Sequence, residues 1–97
     1  MSDENRISID DPERDYNTII NNMMKELCDR QHNSERAESI QHEIDGIWQR
    51  YLGVFTSRED LMAFLRRFQE ERRYIEIISD KYIRLTIRGM QYCENLE

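Results

Sequence analysis

From Tyr16 onward, apolar residues return every three or four positions: Tyr16, Ile19, Ile20, Met23, Met24, Leu27 and Cys28. An α-helix turns once in 3.6 residues, so this spacing lines one face and predicts an amphipathic helix over about 12–30. Asp11 suits the N-cap, Pro12 the first helical position, and Glu13 and Asp15 the positive end of the helix. The stripe is wide, and two uses stay open for Tyr16, Ile19, Ile20, Met23, Met24 and Leu27: the chain's own core, or a dimer contact. "QHNS" then breaks the period, with Asn33 or Ser34 as the next cap. Helical spacing resumes through Ala37, Ile40, Ile44, Ile47, Trp48, Tyr51 and Leu52, predicting a second helix over about 35–52. Gly46 inside it costs about 1 kcal/mol relative to Ala and permits a kink or a split. After Gly53 and the short connection "VFT", Thr56 or Ser57 caps a third helix over about 57–72. Its buried line is Leu61, Leu65 and Phe68, with Phe64 beside them.

The period changes at Tyr74, where "YIEIISDKYIRLTIRG" reads as two strands. With Ser79-Asp80-Lys81 as a three-residue loop, Ile78 faces Tyr82, Ile77 faces Ile83, Glu76 faces Arg84 and Ile75 faces Leu85. That register gathers Ile75, Ile77, Ile83 and Leu85 on one face and sets Glu76 against Arg84 on the other. A two-residue loop would put Ile77 against Arg84 instead. The last position of such a loop favours Gly or Asn with positive φ, and here it is Lys81. Ile87, Met90, Cys93 and Leu96 then predict a closing helix over about 87–96 that packs on the core. The expected fold class is mainly α with a small antiparallel β-hairpin (α+β). A single domain over 12–97 follows an acidic, mobile tail, residues 1–11, in which "RISID" is suited to a short edge strand.

A chain of 97 residues suits one domain. At 38% hydrophobic and 35% charged it belongs with small folded domains, not disordered chains. No apolar run approaches the roughly 20 residues of a membrane span, and "MSDENRISIDD" has no signal-peptide character, so the expectation is a cytoplasmic protein without a membrane role. Cys28 and Cys93 lack CxxC spacing and fall on apolar stripes, which predicts reduced thiols packed as small hydrophobes.

Several pieces of this pattern resemble the winged helix-turn-helix domains of small prokaryotic, archaeal and viral transcription regulators. Leu52-Gly53-Val54 is similar to that family's turn, Ser57 to the cap of its recognition helix, and Leu61, Leu65 and Phe68 to that helix's buried line. "YIEI" resembles the strand that follows, and Leu85-Thr86 with Gly89 resembles the closing "LTxxG". Arg72-Arg73 stands where the family usually has Gly, so the helix must exit through a non-Gly residue or a longer last turn.

The resemblance implies a sequence-specific DNA-binding transcription regulator. Helix 57–72 would lie in the major groove of double-stranded DNA, with a short wing at 79–81, probing two half-sites as a homodimer. Its DNA-binding residues would be Ser57, Arg58, Glu59, Met62, Ala63, Arg66, Arg67 and Lys81, and the dimer contact would come from the first helix, with the last helix as a second candidate. The net charge of −6 does not oppose this, because its excess sits in residues 1–56, with six basic and twelve acidic residues; residues 57–97 hold eight of each. An alternative of another class is a winged-helix protein-interaction module without DNA binding, using the acidic first half as its surface. Catalysis is not expected. His32 and His42 are not at ligand spacing and read as exposed residues near helix ends, "HE" lacks the second His of a zinc helix, and no Gly-rich phosphate loop is present; no metal or cofactor is expected. Trp48 and Tyr51 read as core aromatics under the third helix.

Overall fold

The computed structural model describes residues 12–95, so the tail 1–11 with its "RISID" strand, the Asp11 cap and Leu96 lie outside the described residues. The fold is mainly helical with a small antiparallel sheet, in the order α1 (Pro12–Asn33), β1 (Gln41–Glu43), α2 (Ile44–Arg50), α3 (Arg58–Arg72), β2 (Ile75–Ile77), β3 (Tyr82–Leu85) and α4 (Ile87–Asn95). β3 is central in the sheet, which runs β1-β3-β2. Tyr16, Ile20, Met23, Met24 and Leu27 of α1 meet Ile44, Ile47, Phe55, Leu61, Leu65, Phe68, Ile75, Ile83 and Leu85 in one core. Each large side chain buried there contributes about 1.5–3 kcal/mol relative to exposure.

The second helix differs most from expectation. Residues 36–40 form no helix, 41–43 are a strand, and only 44–50 are helical. The chain reverses after α1 at Glu35, whose φ is 59°. Buried Gln31 then takes over the hydrogen bonding that a helix would have supplied. Its Nε2 donates to the carbonyls of Arg36 (3.2 Å) and Glu38 (2.9 Å), and its Oε1 accepts from Ile40 N at 2.9 Å. An extended segment held this way reaches β3, where Gln41, His42 and Glu43 pair with Arg84, Ile83 and Tyr82. Ala37 is exposed and Ile40 half-buried, so the first two positions of the supposed helical stripe are not on a helix. Leu52 is exposed too, while Phe55 of the connecting "VFT" is buried and rests 5.1 Å from the Phe64 ring. Trp48 and Tyr51 pack half-buried against the core.

The second half of the chain follows its pattern closely. Ser57 caps α3, its Oγ accepting from Asp60 N at 3.1 Å, while Asp60 Oδ2 accepts in return from Thr56 N at 3.2 Å. Leu61, Leu65 and Phe68 are fully buried. The helix leaves through Arg73 in the left-handed region, φ 61°, with its N–H bonded to the Gln69 carbonyl. A non-Gly residue thus makes the exit that Gly usually makes. β2 and β3 pair Ile75 with Leu85, Glu76 with Arg84 and Ile77 with Ile83, the register expected from side-chain chemistry. Ile75, Ile83 and Leu85 are buried, and Arg84 Nε meets Glu76 Oε1 at 3.1 Å on the outer face. Lys81 needs no positive φ; among the described residues only Glu35 and Arg73 have one.

α4 is capped by Thr86, whose Oγ1 accepts from Gly89 N at 3.0 Å and donates to the Arg73 carbonyl at 2.6 Å. A Cβ on Gly89 would lie 2.1 Å from the Tyr74 carbonyl oxygen, so the helix can approach that strand only without a side chain here. Ile87 is 79% exposed and turned away from the core it was expected to cover. The reading of the cysteines is also corrected: Cys28 on α1 and Cys93 on α4 form a disulfide with Cα atoms 5.3 Å apart. Each sits on the inner stripe of its helix. Where the two helices pack, those stripes face each other, which brings together two residues far apart in sequence. No described helix is long and apolar enough to cross a membrane.

Candidate nucleic-acid interface

α2, the turn over 51–57, α3 and the loop between β2 and β3 form one end of the molecule. Arg58 joins three of these elements. Its Nε meets Asp45 Oδ1 of α2 at 2.8 Å, and its Nη2 donates to the Asp80 carbonyl in the hairpin loop at 2.6 Å. The loop is tied to α2 again by Ile44 N donating to the Lys81 carbonyl at 2.8 Å. The pattern of the chain named Arg58 but not its partners. Asp45 and Asp80 give no local signal, because their relation to Arg58 exists only after β1 has joined the sheet.

The residues expected to read DNA fall into three groups. Glu59, Ala63, Arg66 and Arg67 are exposed along the outer face of α3, and Lys81 is exposed at the hairpin tip. Arg58 and Met62 are half-buried, Arg58 in the contacts above and Met62 against the core. Ser57 is exposed but its Oγ is engaged as the cap. Arg66 forms no ion pair with a described residue. By contrast, the Arg67 guanidinium lies 3.7 Å from the centre of the Tyr16 ring, and its Nε meets Glu71 Oε2 at 3.2 Å. Hydrogen bonding from Arg67 draws the Glu71 carboxyl below its ordinary pKa.

The charge of α3 is balanced: Arg58, Arg66, Arg67 and Arg72 stand against Glu59, Asp60, Glu70 and Glu71. Glu59 and Asp60 complement the positive helix start, and the Asp60 carboxylate occupies the backbone donor of Thr56. A phosphate approaching that end meets these carboxylates first.

The dimer assignment needs correction. Tyr16, Ile20, Met23, Met24 and Leu27 are 5% exposed or less within the single chain, and Ile19 is half-buried against the same core. Their width as a stripe reflects how much surrounds α1: α3, the sheet and α4 all bury apolar surface on it, leaving those five side chains nothing to offer a second copy.

His42 was expected at the surface and is instead 5% exposed on β1, beside Ile83. Its Nε2 has no hydrogen-bond partner among the described residues. Burial, with a smaller contribution from the Arg30 charge, lowers its pKa from 6.5 to about 4, so the ring is neutral at pH 7. Alternation along "QHE" is polar throughout, and for that reason it hides which residue faces inward. His32 is exposed near the end of α1. Among the described residues no three or more His, Cys, Asp or Glu side chains gather as metal ligands.

No family model, curated protein or solved structure matches the chain.

Proposed function

We propose that the chain is a sequence-specific DNA-binding transcription regulator of the winged helix-turn-helix kind. The observation that carries this reading is the juxtaposition of the short helix α2, the turn, the Ser57-capped α3 with an open outer face, and a hairpin fixed beside it. In this reading α3 enters the major groove, Arg66 donates to guanine or phosphate, Ala63 touches a thymine methyl, and Lys81 reaches the backbone beside the groove. The protein acts as a symmetric homodimer on half-sites about one helical turn apart, assembled on a face other than the inner stripe of α1. An intracellular setting goes with this role.

Retention on nonspecific duplex DNA at low salt that falls steeply as salt rises, through release of counterions, is the expected result; Arg66→Ala weakens it. No retention at low salt sinks the proposal. A second reading, a protein-interaction module, is favoured by the equal acidic and basic charge of α3 and by the engagement of Arg58 with Asp45 and Asp80. Exposed Leu52 and Val54 in the turn would be its apolar contacts. The low-salt experiment separates the two, since such a module shows no retention.

A further inference from the structure

We infer that the Cys28–Cys93 disulfide is a redox latch on the last helix: reduction frees the second half of α4 from α1, while the sheet and the helices of the core stay folded. The inference rests on how α4 is held and does not depend on the DNA reading.

The two halves of α4 are secured by different means. Its first turn is fixed through Thr86, bonded to the Arg73 carbonyl and to Gly89 N, and through Thr86 N donating to the Tyr74 carbonyl at 2.9 Å. Gly89 is the one fully packed position of the helix, set directly on the Tyr74 carbonyl. Beyond Gly89 no side chain among the described residues of the helix is fully buried. Met90, Tyr92 and Cys93 are half-buried, and Gln91, Glu94 and Asn95 are exposed. Apart from the sulfur bridge, the second half leans on Met90 and on the Tyr92 ring, 4.7 Å from that of Tyr74. A helix of nine residues is too short to persist without tertiary support. The covalent bond therefore supplies a large part of what keeps residues 91–95 helical.

The bond is also within reach. A groove of about 1240 Å³ runs between the end of α1 and α4, bordered by Lys25, Asp29, His32, Met90, Cys93 and Glu94, with Cys28 at its side. Cys28 is 9% exposed, and Cys93 is the more open of the pair. One thiolate of a small dithiol attacks Cys93 Sγ. The sulfur–sulfur bond breaks and Cys28 leaves as a thiolate that takes a proton from water. The second thiol of the reductant then attacks the mixed disulfide and releases Cys93. The reductant gains an internal disulfide, and two electrons pass to the protein. Where the surroundings are reducing, bridges of this kind are transient or sensing rather than structural, so there the bond gives the chain a chemical input.

Amide hydrogen exchange on the full chain, oxidised and then reduced with dithiothreitol under native conditions, tests the latch. In the reduced protein the amides of Gln91 to Asn95 exchange at least tenfold faster, while Ile78 and Thr86, bonded across the hairpin, keep their protection. Cys28→Ser with Cys93→Ser reproduces the reduced pattern without reductant. The inference is overturned if protection falls equally in the sheet and α4, if nothing changes on reduction, or if the bond resists dithiothreitol until the protein is denatured. Should the double-serine variant not fold, reduction of the native chain decides alone, and global unfolding there also overturns the latch.

Discussion

β3 has two neighbours that come to it by different routes. β2 reaches it through a loop of a few residues, closed by Ile78 N and Ser79 N donating to the Tyr82 carbonyl at 3.0 and 3.3 Å. β1 arrives from some forty residues upstream, after a reversal at Glu35, and contributes no large apolar side chain of its own. Local pairing needs little beyond complementary side chains, because closing a short loop loses little entropy. Pairing at a distance needs help, and here it has two supports. Gln31 satisfies three backbone groups of the approach, and Ile44 N bonds to the Lys81 carbonyl at the far end. One flank of the sheet is thus held by its own strand pattern, the other by a side chain on a helix and a backbone bond at its far end.

Changing the shared strand should harm both flanks together. Ile83→Ala, at a fully buried position, should cost about 3 kcal/mol in urea unfolding, through lost transfer energy and the cavity left behind. Acidification below pH 6.5 should then act first on β1. The folded pKa of His42 is depressed from 6.5 to about 4, so the unfolded chain binds the extra proton in between. Stability contributed by the neutral ring is complete above pH 6.5 and falls as pH drops toward 4, by about 3 kcal/mol in all, at 1.36 kcal/mol per pKa unit. His42→Leu should flatten that part of the pH profile. Truncating Gln31 to Ala should cost about 2 kcal/mol by leaving part-buried backbone groups unpaired. Amide exchange should quicken at Ile40 to Ile44, with Ile78 and Thr86 unaffected; equal loss on both flanks would refute the division. The smallest effect should come from the β2 flank's exposed ion pair. Glu76→Gln should change stability by about 0.5 kcal/mol or less, since both partners are half in water.

The same division explains what could be read from the residues. α3 and the hairpin are encoded locally: Ser57 and Asp60 write the cap, Leu61, Leu65 and Phe68 the buried line, and the charge pairing of Glu76 with Arg84 fixes the register. Arg73 was visible as well, as a missing glycine, whereas the need for Gly89 appears only once the helix lies against the Tyr74 carbonyl. β1 was hidden, because "QHE" has no apolar alternation and because Ile40, Ile44 and Ile47 keep helical spacing across a boundary between loop, strand and helix. Its existence depends on Gln31, whose amide looks like any polar residue near a helix end. The disulfide was hidden for a related reason. Its only signal was that both cysteines lie on inner stripes, and stripes do not say which helices will face one another. In the candidate interface, the arginines of α3 were found, but not that Arg58 would be shared between Asp45 and Asp80.

The bridge between Cys28 and Cys93 spans 65 positions and so turns most of the fold into a covalent ring. One open stretch of that ring to an attacking protease is the turn after α2, where Leu52 and Val54 are about half exposed around Gly53. A cut there opens the ring without dividing the molecule. The fragment carrying α1 and β1 and the fragment carrying α3, the hairpin and α4 stay tethered through sulfur, and they migrate as two species only when the sample is reduced.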